Sequence, residues 1–140
     1  MKMNLLHLMV RVLDVEKSLA FYEIFGLTEV RRHDSEAGRF SLIFLGDGKS
    51  DFLIELTHNW GETKTYSDGN SFGHIAIGVE NIMQTCDRCE AEGHTILRPP
   101  RDGHMAFVKS PDGISIEILQ NGDNMAVPEK WAKYENIGSW

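Results

Sequence analysis

Apolar and polar positions fall into short runs broken by Gly, Asp and Pro, and the same succession of runs occurs twice along the chain. Residues 5–12 predict a strand of large apolar and β-branched residues. Asp14 is the expected N-cap of a helix over 15–24, whose Val15, Leu19, Tyr22 and Phe21 gather on one side, and Gly26 ends it. Strands follow at 28–32 and 39–45, then a turn at Gly46-Asp47-Gly48, then a strand at 51–57. The second copy keeps this order. It has a strand at 72–79, a cap at Asn81, a helix over 82–92 closed by Gly93, strands at 95–98 and 105–109, a turn at Pro111-Asp112-Gly113 and a strand at 114–120. One helix serves four strands in each copy, so each sheet keeps a face for something else to cover, the sister unit being the obvious candidate. The expected fold class is α+β, with two βαβββ repeats at about 4–59 and 70–121 inside one domain spanning 1–140. Residues 58–70 are polar and turn-rich and read as the linker. In the tail, 122–140, a short helix over 128–134 is expected to pack Trp131 and Tyr134 on the body.

The repeats carry matching chemistry. Each opens on a strand holding a His, His7 and then His74, and each closes on a strand holding a Glu, Glu55 and then Glu117. A carboxylate on a strand walled by Ile and Leu needs a partner, because burying it alone is very costly. A single strand His is more often a packed or edge residue than a ligand. Two His and two Glu at matching points shift the balance toward a shared divalent ion. Such a donor set suits Zn, Ni, Co, Fe or Mn, whereas carboxylates with carbonyls would favour Ca or Mg. An octahedral ion with four protein ligands keeps two positions for adjacent substrate oxygens. A ligand Glu that loosens is then placed to remove a carbon-bound proton.

Other candidates carry less. His33, His58, His94 and His104 have no mate in the other repeat and read as surface or loop residues, His104 alone having a claim to line a site. Cys86-Asp-Arg-Cys89 matches C-x-x-C, but it lies about a turn inside the predicted helix and reads as two small packed residues. Phe21, Tyr22 and Phe25 read as core.

Composition narrows the function classes. The 140 residues are 41% hydrophobic and 25% charged, ordinary for a globular protein. The net charge of −7, with no Lys/Arg cluster, argues against nucleic acid or an anionic membrane as partner. No apolar run is long enough to span a bilayer, no secretory h-region opens the chain, and two cysteines make no disulfide framework. A reduced, cytoplasmic setting is the simplest expectation.

Several strings point to one family. Leu6-His7-Leu8-Met9-Val10-Arg11-Val12, followed by Ser18-Leu19-Ala20-Phe21-Tyr22 and Gly26-Leu27, resembles the opening of glyoxalase I (lactoylglutathione lyase), in the vicinal oxygen chelate superfamily. Ile54-Glu55-Leu56-Thr57-His58-Asn59-Trp60-Gly61 is the most specific string. Phe72-Gly73-His74-Ile75-Ala76-Ile77, Asp112-Gly113 and Ile116-Glu117-Ile118 complete the resemblance, which covers residues 5 to about 120. It implies paired βαβββ modules of the glyoxalase, bleomycin-resistance and dihydroxybiphenyl-dioxygenase type. It also implies a homodimer with sites at the subunit interface, His7 and Glu55 coming from one chain and His74 and Glu117 from the other. The implied reaction turns the hemithioacetal of glutathione and methylglyoxal into S-lactoylglutathione through an enediolate. Glu117 matches the catalytic base, and Glu55 a metal ligand with a claim to be the base toward the other enantiomer. Arg11 and Asn59 match residues that hold the γ-glutamyl end of glutathione, where a guanidinium fork suits a carboxylate. Arg98 and Met105 fall near positions that close over the glycyl end. The compact chain looks like the class activated by Ni or Co, with Zn acceptable on ligand chemistry.

Two features depart from the pattern. The segment between Gly103 and Ala106 is short, and Asn70-Ser71 stand where longer relatives carry an Arg. Alternative readings follow from the same scaffold. One is an enzyme acting on another thiol adduct or substrate. Ring-cleaving dioxygenases are disfavoured because they want two His and one carboxylate, and thiol transfer to an antibiotic is disfavoured by the string around Asn59. The other is a metal-free drug-binding resistance module, which has no need of four converging ligands.

Overall fold

The supply of backbone partners decides where each strand begins and ends. The computed structural model describes residues 1–140, which divide into two compact units, Met1–Tyr66 and Ser67–Trp140. The first runs β1 (His7–Arg11), α1 (Val15–Glu23), β2 (Thr28–Ser35), β3 (Phe40–Gly46) and β4 (Leu53–Asn59). The second runs β5 (His74–Val79), α2 (Ile82–Ala91), β6 (Ile96–Arg98), β7 (Met105–Lys109) and β8 (Ser115–Gln120), followed by α3 (Glu129–Lys133). Each unit is a mixed four-stranded sheet, ordered β1-β4-β3-β2 in one and β5-β8-β7-β6 in the other. The strands bearing Glu55 and Glu117 are therefore internal. They pair in parallel with β1 or β5 and antiparallel with β3 or β7.

The predicted helices form for the expected reasons. Asp14 accepts the Lys17 N–H at 3.0 Å, and Asn81 accepts the Gln84 N–H at 3.1 Å, each satisfying an orphan donor of a first turn. Gln120 adds a second hold on α2. Its side-chain oxygen takes the Ile82 N–H at 2.9 Å, and its amide donates to the Glu80 and Asn121 carbonyls. One face of each sheet packs on its helix, and its centre is apolar and fully buried: Ile43, Leu45 and Leu56 in the first unit, Ala106, Val108, Ile116 and Ile118 in the second.

Several sequence expectations are corrected. Leu5 and Leu6 lie outside β1 and are exposed, because β4 offers its first residue pair opposite His7; Leu6 contributes only a carbonyl, to Leu53 N–H. Phe72 and Gly73 likewise precede β5, which begins at His74. Asp51 and Phe52 fall outside β4, after a turn in which the Asp47 carboxylate takes the Lys49 and Ser50 N–H groups, both at 2.8 Å. Arg39 stands in the β2–β3 turn with φ 54° rather than in a strand, while β2 extends to Ser35 because β3 continues to pair with it. His58 and Asn59, expected in the linker, complete β4 opposite Ser41 and Phe40. On α1 the buried residues are Ser18, Phe21 and Tyr22, continued by Phe25, while Val15 and Leu19 are only half-buried.

Trp131 is buried as expected, its indole N–H donating to Asp87 at 3.0 Å, but Tyr134 rests on Trp131 rather than on the body and stays exposed. No helix is long and apolar enough to cross a membrane.

Both cysteines are free and buried in α2. Burial pushes the Cys86 thiol far up, with the neighbouring Cys89 adding to the effect, and it pushes Cys89 up to about 12. Both remain protonated thiols at neutral pH, which removes the nucleophile that a redox motif needs. A thiol reagent at pH 8 is expected to leave both untouched in the native protein and to modify both in denaturant. Fast native labelling would contradict the buried placement. Trp131→Ala is expected to cost about 3–5 kcal/mol in urea unfolding, because it removes the largest fully buried side chain and leaves Asp87 without its indole partner.

Candidate metal centre

Register brings each His to its Glu. His7 stands opposite Leu53 and His74 opposite Ser115, in both cases two residues before the Glu on the internal strand. Residues two apart on a strand share a face, so His and Glu project together from the face opposite the helix. His7 Nε2 lies 3.4 Å from Glu55 Oε1, and His74 Nε2 lies 3.7 Å from Glu117 Oε1. The carboxylates are nearly sheltered, with side chains 12% and 17% exposed, whereas the imidazoles are 40% and 43% exposed. Each pair is an oxygen donor at the floor and a nitrogen donor at the rim.

An aromatic ring completes each pair. Phe44 is the β3 partner of Glu55 and Phe107 the β7 partner of Glu117. Each meets the local imidazole edge-on, at centroid distances of 5.7 and 5.4 Å and interplanar angles of 80° and 81°. Both rings are almost fully buried. Edge-to-face contact restricts how the imidazole can tilt. Sequence reasoning missed these two residues. The signal was available in their similar distance before each Glu, 11 residues from Phe44 to Glu55 and 10 from Phe107 to Glu117, but it means little until the strands are paired.

The donors suit a divalent transition ion. Two ligand atoms bound at about 2.1 Å to one ion, at roughly a right angle, lie about 3 Å apart, so each pair needs only a small side-chain adjustment to share one. Imidazole nitrogens and carboxylate oxygens together suit Ni, Co, Zn, Fe or Mn. No group of three or more His, Cys, Asp or Glu side chains within the chain is placed to hold a metal ion. The structure brings the predicted ligands together as two pairs, His7 with Glu55 and His74 with Glu117.

The two carboxylates differ in support. Thr57 shares the face of Glu55, and its hydroxyl donates to Glu55 Oε2 at 3.2 Å, leaving Oε1 toward His7. Leu119 holds the corresponding place beside Glu117, two residues on along β8, and offers no donor.

The residues expected to touch a substrate share these faces. Arg11 pairs with Thr57 and Asn59 with Phe40, placing both on the face of Glu55. Arg11 is exposed, and the Asn59 amide donates to the Tyr66 hydroxyl at 3.3 Å. Met105 and Arg98 lie on the face of Glu117, half-buried, opposite Leu119 and Phe107. The Arg98 guanidinium is engaged inside the β6–β7 loop. It donates to the Met105 carbonyl and to Asp102 Oδ2, the latter at 3.3 Å. Burial pulls Asp102 upward, but the N–H groups of His104 and Met105 and the Arg98 guanidinium outweigh it and hold the carboxyl below its usual range. The shortened segment after Gly103 is closed by this network.

The unmatched histidines stand apart from the pairs. His33 is an exposed residue of β2, His58 Nδ1 faces the Val12 carbonyl at 3.4 Å, burial lowers His94, and His104 is exposed in the loop before β7.

Residues 4–118 match the Glyoxalase/Bleomycin resistance protein/Dioxygenase superfamily. A probable lactoylglutathione lyase of Synechocystis sp. is 48% identical over 126 residues, covering 84% of this chain and 95% of that protein. A trypanothione-dependent glyoxalase I of Leishmania major superposes with a TM-score of 0.78 at 36% identity, over 85% of this chain and 87% of that one. Glyoxalase I of Zea mays superposes at 0.76 and 32% identity, over 85% of this chain but only 45% of the maize chain. Sequence and fold agree that this chain belongs to the glyoxalase I, or lactoylglutathione lyase, family of that superfamily.

Proposed function

We propose that the protein isomerises the hemithioacetal of methylglyoxal and glutathione to S-lactoylglutathione, at a centre to which one copy of the chain brings His7 and Glu55 and a second copy brings His74 and Glu117. The observation that carries the reading is the pair of His–Glu half-sites in one register. Each is two donors wide, and together they make the four-ligand set. A closed two-fold assembly joins unlike patches of two copies twice, which yields two complete centres per dimer. Apolar side chains exposed beside His7, among them Leu5, Leu6 and Met9, give such an interface its burial. The maize relative, of which this chain spans 45%, has length for two such copies in one polypeptide.

His7, Glu55, His74 and Glu117 would hold a divalent ion, Ni or Co by resemblance and Zn by ligand chemistry, which would supply the polarisation of adjacent substrate oxygens that acidifies the neighbouring C–H bond. Glu117 takes that proton from the sulfur-bearing carbon. The electron pair spreads over the two oxygen-bearing carbons as an enediolate, and Glu117 returns the proton to the adjacent carbon. As the hydroxyl proton of the hemithioacetal carbon passes to the neighbouring oxygen, that carbon becomes the thioester carbonyl and the ketone carbon becomes a secondary alcohol. The pinning of Glu55 by Thr57 suits a fixed ligand, and the apolar neighbour of Glu117 suits a carboxylate that moves. Arg11 and Asn59 hold the γ-glutamyl end, while Met105, with the loop that Arg98 braces, lies toward the glycyl end. Two unpaired cysteines agree with a reducing cytoplasmic location.

Metal-stripped protein refilled with Ni, Co, Zn or Mn in turn is expected to form thioester absorbance from methylglyoxal plus glutathione. Silence with every metal sinks the isomerase reading, and activity with trypanothione in place of glutathione moves it to another thiol. Glu117→Gln is expected to lower kcat by roughly 10²–10⁴ while metal content by atomic emission stays near wild type. His7→Ala and His74→Ala are each expected to be inactive alone. Unfolded and refolded together, they recover roughly a quarter of wild-type activity, because half of randomly paired dimers carry one intact centre. No recovery on mixing would place all four ligands in a single chain's service and overturn the shared centre.

A further inference from the structure

The repeats agree on His, Glu and Phe, and they differ in what covers the Phe. Arg31 is the β2 partner of Phe44, and its guanidinium carbon sits 3.7 Å above that ring's centroid. Arg98 is the β6 partner of Phe107, but it is drawn into the loop by Met105 and Asp102. Trp140 takes the vacated face of Phe107, stacked at 5.4 Å and 19°.

This placement is built by the segment after β8. The Met125 N–H donates to the Gly103 carbonyl at 2.9 Å. Gly103 has φ +73°, and a Cβ there would come 2.1 Å from the Met125 carbonyl oxygen, so a side chain would prevent the approach. Trp131 is buried against α2, with Lys130 bridging Asp87 and Glu90 at 3.1 and 2.7 Å. Arg101 then grips the Tyr134 carbonyl and the Asn136 side chain at 2.9 and 2.8 Å, and the Ile137 N–H donates to the Leu97 carbonyl at 2.8 Å. The chain is pinned at intervals from the β6–β7 loop to Phe107. Trp140 arrives still 43% exposed as a residue.

We propose that Trp140 is a specificity-determining residue. Its open indole, continuous with Phe107 beside His74, is the shelf that receives the apolar substituent contributed by the 2-oxoaldehyde. This rests on the isomerase reading above. A flat aromatic wall gains contact area with a phenyl group and little with a methyl group. The half-site at His7 carries the Arg31 guanidinium over Phe44 instead of an indole.

The test compares kcat/KM for the glutathione adducts of phenylglyoxal and methylglyoxal in wild type, Trp140→Ala and Trp140→Phe. Trp140→Ala is expected to lose about tenfold on the phenyl adduct, mostly through KM, and less than about twofold on the methyl adduct; Trp140→Phe recovers most of the loss. Binding measured by calorimetry with S-benzylglutathione and S-methylglutathione is expected to show the same selective loss without turnover. Equal losses on both adducts, or none, overturn the role of Trp140. A wild type inactive on both adducts overturns the parent reading instead, and the ratio of the two thioether affinities still decides whether Trp140 selects. Unchanged melting temperatures in both variants show that the difference is one of recognition.

Discussion

Everything at this site depends on placing a carboxylate in the middle of a sheet. Glu55 sits on the internal strand of its sheet, opposite Met9 and Phe44, with Ile54 and Leu56 committed to the core on the other side. Glu117 repeats this between Ala76 and Phe107. Such a position deprives the charge of most of its water, and a lone carboxylate there is unfavourable. The imidazole on the neighbouring strand is the first compensation, and a cation is the natural completion. The parallel pairing of β1 with β4, and of β5 with β8, is what brings the imidazole within reach. A shift of one residue would turn His to the helix side and undo the pair.

The sheet's other face explains why the arrangement is rigid. Apolar side chains from β3, β4, β7 and β8 bury themselves under α1 and α2 with little or no exposure. Alternation along each strand then leaves no freedom in which residues face outward. The core fixes the orientation of His7, Glu55, His74 and Glu117, which have no role in the core. Phe44 and Phe107 extend the same logic sideways, each serving as a wall for the imidazole next to it.

Much of this was legible in the chain. The two helices and their Asp14 and Asn81 caps follow from local chemistry, and the repeat exposes His7, Glu55, His74 and Glu117 because pseudo-symmetry makes isolated residues comparable. Features that depend on distant partners were not legible. Leu5 and Leu6 look like strand residues, yet β4 has nothing to pair with Leu5. Arg39 looks like the start of a strand, but it closes a hairpin. The pairs Phe44–Arg31 and Phe107–Trp140 join residues with no local periodicity between them. Arg98 illustrates the opposite limit: its position on the site face was foreseeable, while its engagement by the Met105 carbonyl and Asp102 belongs to a loop whose course propensity does not specify.

The hydroxyl of Thr57 has a consequence beyond holding Glu55. The order of strands and helix recurs in each unit, but the supporting side chains differ, since Leu119 occupies the related place. On the reading proposed here, the choice of which carboxylate removes the proton from the stereogenic hemithioacetal carbon follows from that one mismatch, not from the ligand types. Exchanging a threonine and a leucine between the repeats would then be a shorter evolutionary path to the mirror-image preference than rebuilding the coordination sphere.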